Sequence, residues 1–192
     1  MKQAKLLTSQ ERKRLAAVID SKRHATRNHT AVALSFYAGL RACEIAALRV
    51  GDVFDATGAV RDTIYLRATQ TKGNEAATVL VNKRLAQQLR KYAAQFPNRA
   101  QQPNTPLIFS AKGGSFTAQT IVNLFQQLYK AAAISGASSH SGRRQFVTEL
   151  ADKGINARVI QALARHKHLN TTMRYIDLNE NKLRSAVELV DY

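Results

Sequence analysis

The spacing of hydrophobic residues changes once along this chain, and that change does most to limit the fold. Apolar residues recur at intervals of three or four over most of the sequence, as they do on the buried face of an α-helix. Between Val60 and Val81 they alternate with polar residues, which is the pattern of β-strands. We therefore predict a mostly helical α+β domain with one small sheet.

Local signals mark the ends of several predicted helices. Thr8 and Glu11 have the spacing of a capping box, which begins the first helix. Gly39 ends the second helix, so Arg41 opens the third and Glu44 lies one turn further on the same side. The remaining predictions are helices over 83–96, 117–132, 156–164, 171–175 and 179–190, a helix carrying His140 and Arg143, and a loop over 97–106.

The alternating stretch predicts an antiparallel hairpin. The first strand is predicted over 63–68, where polar and apolar side chains alternate, and Thr78–Val81 form the return strand. Lys72-Gly73-Asn74 has the composition of a hairpin tip. A lysine at such a tip is usually only solvated, so Lys72 carries no function on this evidence alone.

The charge of the chain points to its partner. Lysine and arginine total 29 against 13 acidic residues, which gives a formal charge of +16. A polyanion is the natural ligand of such a protein, although a basic ribosomal protein would have the same excess. The single cysteine, Cys43, excludes an internal disulfide and fits a reducing cytoplasm. No stretch of about 20 apolar residues indicates a membrane span.

Residues suited to phosphodiester chemistry occur as five short motifs. Arginine forks bind phosphate oxygens in pairs, histidine can move protons, and a tyrosine hydroxyl can attack phosphorus. The motifs are Gly39-Leu40-Arg41 with Glu44, Lys72-Gly73, His140-Ser141-Gly142-Arg143, His166, and Tyr175 nine positions later. Each motif alone is weak evidence. Their order and spacing together closely resemble the tyrosine recombinase (phage integrase) family.

That resemblance implies a role for each motif residue. Arg41 and Arg143 would clamp the phosphate, and Tyr175 would attack it to form a 3′-phosphotyrosyl link. Such a link conserves the phosphodiester energy, so no cofactor is needed. The other implied roles are a general acid at Lys72 and proton transfer or phosphate contact at His140. His166 would donate a hydrogen bond to a phosphate oxygen, with His168 as the competitor for that role, and Glu44 would support an arginine. We expect no metal, because no cysteine or carboxylate has supporting spacing around the histidines.

The resemblance also implies an architecture and partners. It predicts one catalytic domain over residues 1–192, a helical bundle with a small antiparallel three-stranded sheet, without the N-terminal core-binding domain of most members. The chain is then either a short single-domain recombinase or a fragment. Expected partners are double-stranded DNA, three further copies in a homo-tetramer that the tail 179–192 joins in trans, and accessory DNA-bending proteins. The alternatives are type IB topoisomerase-like relaxation and a non-catalytic DNA-binding regulator.

Two positions depart from the family pattern. Arg165 precedes His166, where the family usually has a small residue and often glycine. Arg144 stands where the family often has histidine.

Overall fold

The described structure falls into two units of the chain. The computed structural model describes residues 3–71, 73–176, 183–184 and 187–190. The first unit is Met1–Phe146 and the second is Val147–Tyr192. The division falls within one helix, Ser141–Asp152.

The first unit is built mainly from helices whose ends match their local sequence. The Thr8 side chain accepts from the Glu11 backbone N–H, and the Glu11 carboxylate accepts from Thr8, so the predicted capping box is present. Gly39 adopts a φ of 60° and ends the second helix as expected. The helices are α1 Ser9–Asp20, α2 Ala25–Ala38, α3 Ala42–Ala47, α4 Val50–Val53, α5 Lys83–Gln95, α6 Pro97–Ala100 and α7 Ala118–Ala131.

One prediction about these elements was wrong. The stretch 97–106 was expected to be a loop throughout, but its first four residues form α6. Pro97 occupies the first helical turn. A backbone N–H in that turn has no partner within the helix, so proline loses no hydrogen bond there, and its fixed φ suits a helix. Proline there begins a helix rather than preventing one.

The predicted hairpin is present as two antiparallel strands. β1 is Thr63–Leu66 and β2 is Ala77–Leu80, with Thr63 opposite Leu80. Ile64 and Val79 are buried, whereas Tyr65 is exposed on the other face. The mostly helical α+β fold is thus confirmed.

The sheet has two strands within the described ranges rather than the expected three. The chain before β1 contributes one isolated bridge, between Phe54 and Val60. Val53 still belongs to α4, and the Asp55 carboxylate accepts from the backbone of Thr57 and Ala59, which turns the chain immediately. One residue between a helix end and a tight turn is too short for a third strand.

The core of the first unit fixes the position of α2. This helix contacts α1, α3 and α5, and α3 packs in turn on α7. Leu34, Leu40 and Ile45 are fully buried, and burying each such side chain contributes about 1.5–3 kcal/mol. The bend between α2 and α3 is therefore held on both sides by packed helices.

The second unit is smaller. It contains the later residues of α8 (Ser141–Asp152), then α9, Ala157–Ala164, and α10, Leu169–Met173, which contacts α9. Asn156 caps α9 by accepting from the Arg158 N–H. The helix predicted over 171–175 begins two residues earlier and ends before Tyr175. Half of the helix predicted over 179–190 lies outside the described residues.

Within the described ranges, none of the helices combines the length and the apolar character that crossing a membrane requires.

Candidate active site

Arg41 is held in place by the helix that it opens. As the cap of α3, it donates from its backbone N–H to Glu44 Oε2 at 2.8 Å and from Nη1 to Oε1 at 2.8 Å. Glu44 is completely buried, while about a quarter of the Arg41 side chain (26%) is exposed. One carboxylate thus satisfies the helix end and orients the guanidinium, whose five N–H donors allow it to bind a ligand as well.

Arg143 approaches the same bend from α8. Only 7% of this residue is exposed, and its Nη1 donates to the carbonyl of Gly39 at 2.6 Å. Gly39 lies two residues before Arg41. The first unit therefore brings both predicted clamp arginines to the turn between α2 and α3.

Gly142 permits this approach. A Cβ added at Gly142 would lie 2.4 Å from Ser35 Oγ and 2.6 Å from Phe36 Cδ2, both on α2. Any larger residue would push α8 away from α2, and Arg143 would lose its reach to Gly39. Packing thus accounts for glycine beside the arginine.

His140 stands exposed just before α8, in a turn fixed by serine side chains. Its backbone N–H donates to Ser138 Oγ at 3.2 Å, and the Ser138 N–H donates to Ser141 Oγ at 3.0 Å. Ser141 is fully buried. The backbone of His140 is therefore well defined while the residue is exposed to solvent.

In the second unit, His166 and Tyr175 lie side by side. Their ring centroids are 6.1 Å apart at an interplanar angle of 19°. The Nδ1 atom of His166 lies 2.9 Å from Oγ1 of Thr172, which is fully buried. When the threonine hydroxyl donates to Nδ1, the ring hydrogen is on Nε2, and His166 can donate from there to a phosphate oxygen.

This geometry favours His166 over His168 as the histidine paired with the tyrosine. His168 is exposed and precedes α10, with no side-chain cap bond to that helix. His166 is half-buried between α9 and α10 and stacks on Tyr175.

The two departures from the family pattern have different structural explanations. Arg165 ends α9 with a φ of 57°, a left-handed conformation that glycine adopts without steric cost. Glycine would therefore fit this position without strain. Arg144 is half-buried and donates to the carbonyl of Ala4, so in place of a histidine the chain has an arginine that supports the first unit.

Lys72 lies outside the described residues, so its position is not part of this geometry. The residues that sequence reasoning missed are Gly142 and Thr172. A glycine inside a helical pattern is a recognised sign of close backbone approach, and that signal was available for Gly142. Thr172 has no comparable signal, because the contact it makes depends on how α10 folds back toward His166.

The described part of the chain contains no cluster of three or more histidine, cysteine, aspartate or glutamate residues that could hold a metal ion.

Comparison with known proteins identifies the family. The family model described as "Phage integrase family" matches residues 5–182, and the chain belongs to this family. It is similar to the tyrosine recombinase XerD of Rickettsia conorii, with 27% identity over 175 residues, covering 88% of this chain and 57% of that protein. It is also similar to the tyrosine recombinase XerA of Pyrococcus horikoshii, with 26% identity over 189 residues, covering 96% of this chain and 60% of that protein. The chain spans about three fifths of the length of these relatives.

Solved structures agree with this fold. A crystal structure of XerA recombinase superposes with a TM-score of 0.74 at 25% identity, covering 100% of this chain and 68% of that one. The Tn1549 transposon integrase in complex with a circular intermediate DNA gives a TM-score of 0.75 at 19% identity, covering 99% and 67%. The second likeness supports the fold alone.

Proposed function

We propose that the protein is a site-specific DNA recombinase, which cuts and rejoins double-stranded DNA through a 3′-phosphotyrosyl intermediate. The observation that carries this proposal is the hydrogen bond from Arg143 to Gly39, two residues before the Glu44-bound Arg41. Two guanidinium groups directed to one bend suit the two non-bridging oxygens of a phosphodiester. The relatives named as tyrosine recombinases support the same reaction.

In the proposed step, the phenol oxygen of Tyr175 attacks the scissile phosphorus. A bond forms between phosphorus and the tyrosine oxygen, and the bond from phosphorus to the 5′ oxygen breaks. His140 takes the phenol proton, and the Lys72 ammonium gives a proton to the departing 5′ oxygen. The product is a 3′-phosphotyrosyl link with a free 5′-hydroxyl. Attack by a 5′-hydroxyl of the partner strand reverses the step and completes exchange.

Arg41, Arg143 and His166 stabilise the transition state in this scheme. Charge accumulates on the non-bridging oxygens as the nucleophile approaches, and donors already in position need no reorganisation. Each such donor is worth on the order of 10²–10³ in rate. Tyr175 comes from the same chain or from a neighbouring copy.

The proposed partner is duplex DNA, held largely through its phosphates. The +16 charge favours a polyanion, and binding should weaken steeply as the salt concentration rises, because releasing counterions from DNA then gains less entropy. We also propose that the protein acts in the cytoplasm on nucleoid or mobile-element DNA, consistent with its bacterial and archaeal relatives and with Cys43 as its single cysteine.

We further propose that four copies assemble on DNA, with accessory DNA-bending proteins where the sites lie far apart, and that the tail 179–192 contacts a neighbour. Leu183, Val187 and Val190 expose 54%, 69% and 79% of their surface, which is unfavourable for apolar side chains in water. Removal of residues 179–192 should weaken assembly on DNA in sedimentation or native gels. A tetramer unchanged by this deletion would contradict the tail's role.

Trapping on a nicked suicide substrate tests the chemistry. Cleavage next to a nick releases a short strand that cannot return, so the covalent complex accumulates. The wild-type chain should become attached to DNA, whereas Tyr175→Phe should bind DNA and form no adduct. Equal trapping of both proteins would place the nucleophile elsewhere.

A plasmid with two target sites then separates recombination from simple relaxation. Recombinant product supports the proposal, and relaxation without recombinants would indicate topoisomerase chemistry. Binding selection from random duplex DNA would supply the target site for this assay.

A further inference from the structure

One buried amide lies at the base of the segment that carries Lys72. After β1 the chain makes a short 3₁₀ turn, Ala68–Gln70, and then enters the loop that leads to β2. Gln70 is the buried residue of this turn, with 6% of its surface exposed, whereas Thr69 beside it is exposed. A buried glutamine is uncommon, and its position immediately before a functional loop calls for an explanation.

The hydrogen bonds of Gln70 explain its burial. Its Nε2 donates to the carbonyl of Ala47 at 2.9 Å and to Asp52 Oδ2 at 2.9 Å, and its Oε1 accepts from the Arg67 N–H at 2.8 Å. A carbonyl can only accept and a backbone N–H can only donate, so these partners fix which end of the amide is which. Both N–H donors and the amide oxygen are therefore satisfied.

These partners join the turn to the helix that Arg41 opens. Ala47 is the last residue of α3, and α3 begins directly after Arg41. Asp52, on α4, also accepts from the Arg49 N–H at 2.8 Å and pairs with Arg67 Nη1 at 3.3 Å. The start of the loop is thus attached to the same rigid element as one of the clamp arginines.

Thr71, the residue after Gln70, bonds to the backbone of Glu75 further along the chain. Thr71 Oγ1 lies 2.9 Å from the Glu75 carbonyl and accepts from the Glu75 N–H at 3.2 Å. Residues 71 and 75 are therefore bonded to each other. Lys72 follows Thr71 in the sequence, so these bonds fix the point from which the chain leads to it.

We propose that Gln70 is a positioning residue for the general acid: it anchors the base of the Lys72 loop to α3, so that the acid is held in register with the phosphate clamp. This inference rests on the proposed function, and in particular on Lys72 as the proton donor to the 5′ oxygen. In this role Gln70 itself contacts neither DNA nor the reacting atoms.

A change of leaving group tests this role. In a substrate whose bridging 5′ oxygen is replaced by sulfur, the departing thiolate needs no proton, because a thiol has a pKa of about 8.5 and an alcohol holds its proton far more tightly. The rate of covalent adduct formation is measured with the oxygen and the sulfur substrates under single-turnover conditions. A defect in the general acid should slow adduct formation with the oxygen substrate but not with the sulfur substrate.

Gln70→Glu is the informative variant, because it keeps the shape of the side chain while removing both N–H donors and facing Asp52 with a second acceptor. Cleavage of the oxygen substrate should fall by about 10- to 100-fold, and cleavage of the sulfur substrate should stay within about 3-fold of wild type. Thr69→Ala, in the same turn but exposed, is the matched control and should leave both rates unchanged. If Gln70→Glu does not fold, as judged by thermal unfolding, Gln70→Ala replaces it.

The remaining outcomes distinguish failure of the Gln70 role from failure of the Lys72 assignment. An equal loss with both substrates, or no loss with either, overturns the positioning role of Gln70. Lys72→Ala is measured in parallel and should lose cleavage with oxygen and recover it with sulfur. If Lys72→Ala recovers and Gln70→Glu does not, only this inference fails. If Lys72→Ala fails to recover, the acid assignment is wrong and the role of Gln70 falls with it.

Discussion

The residues that would hold the phosphate and the residue that would attack it are supported in different ways. In the first unit, Glu44 is fully buried and Arg143 nearly so, and both act on a bend between packed helices. In the second unit, Tyr175 follows the five-residue helix α10, and His166 beside it is half-buried. The proposed phosphate clamp is therefore part of a core, whereas the proposed nucleophile depends on a short local arrangement.

This difference suggests that the two groups of residues have different structural requirements. A clamp must resist displacement when a highly charged ligand binds, and burial in a close-packed core provides that rigidity. A nucleophile needs correct orientation only during attack. Substitutions near the clamp should consequently affect both folding and cleavage, and substitutions near Tyr175 should affect cleavage more than folding.

Gly142→Ala should have the largest effect and tests the clamp side. The new methyl group would meet Ser35 and Phe36 at 2.4 to 2.6 Å, which forces α8 away from α2. We expect a loss of stability of about 1–3 kcal/mol from overpacking and a fall in covalent trapping on the order of 10²-fold from the displaced Arg143. Thermal unfolding and the suicide substrate measure the two effects.

Gly114→Ala is the matched control, because the nearest atom to its added Cβ is Ser110 Oγ at 3.8 Å. This variant should behave as wild type. Normal trapping by Gly142→Ala would show that Arg143 does not need the close approach of α8.

Thr172→Val should have an intermediate effect and tests the tyrosine side. Valine keeps the volume of the buried threonine but removes the hydroxyl that holds His166 Nδ1. Cleavage should fall by roughly 10-fold as the histidine loses its orientation, while stability changes by only about 1 kcal/mol, the worth of one hydrogen bond. Thr171→Val, at an exposed neighbouring position, serves as the control.

If Thr172→Val lost several kcal/mol of stability with little change in cleavage, the difference drawn between the clamp residues and the residues around Tyr175 would be contradicted. The residues around Tyr175 would then matter more for folding than for cleavage.

Arg165→Gly should have the smallest effect and should increase stability. Arg165 adopts a left-handed conformation, which costs an L-residue about 1 kcal/mol more than glycine. Relief of this cost, offset by the freer unfolded chain, should leave a gain of about 0.5 kcal/mol. Arg158→Gly, inside α9, should instead lose about 1 kcal/mol. A destabilised Arg165→Gly would mean that the bond from Arg165 to the Leu163 carbonyl outweighs the backbone cost.

Sequence reasoning succeeded wherever the deciding interaction is local. The capping box of Thr8 and Glu11, the helix end at Gly39 and the approach of Glu44 to Arg41 all involve residues within one turn of each other. The hairpin was likewise readable from alternation and turn composition. Errors arose where family resemblance replaced local evidence, as with the third strand, or where a whole stretch was assigned to a loop, as at 97–106.

The amino-acid sequence by itself determined the helical character of this protein, its single hairpin and the order of its motif residues along the chain. Only the tertiary structure decided that Arg143 bonds to a carbonyl 104 residues away, that Arg144 turns inward, and that His166 rather than His168 lies against Tyr175. The physical reason is the separation along the chain between the residues that interact. Caps, turns and periodicity act between neighbours, whereas these contacts exist only after packing has brought distant segments together.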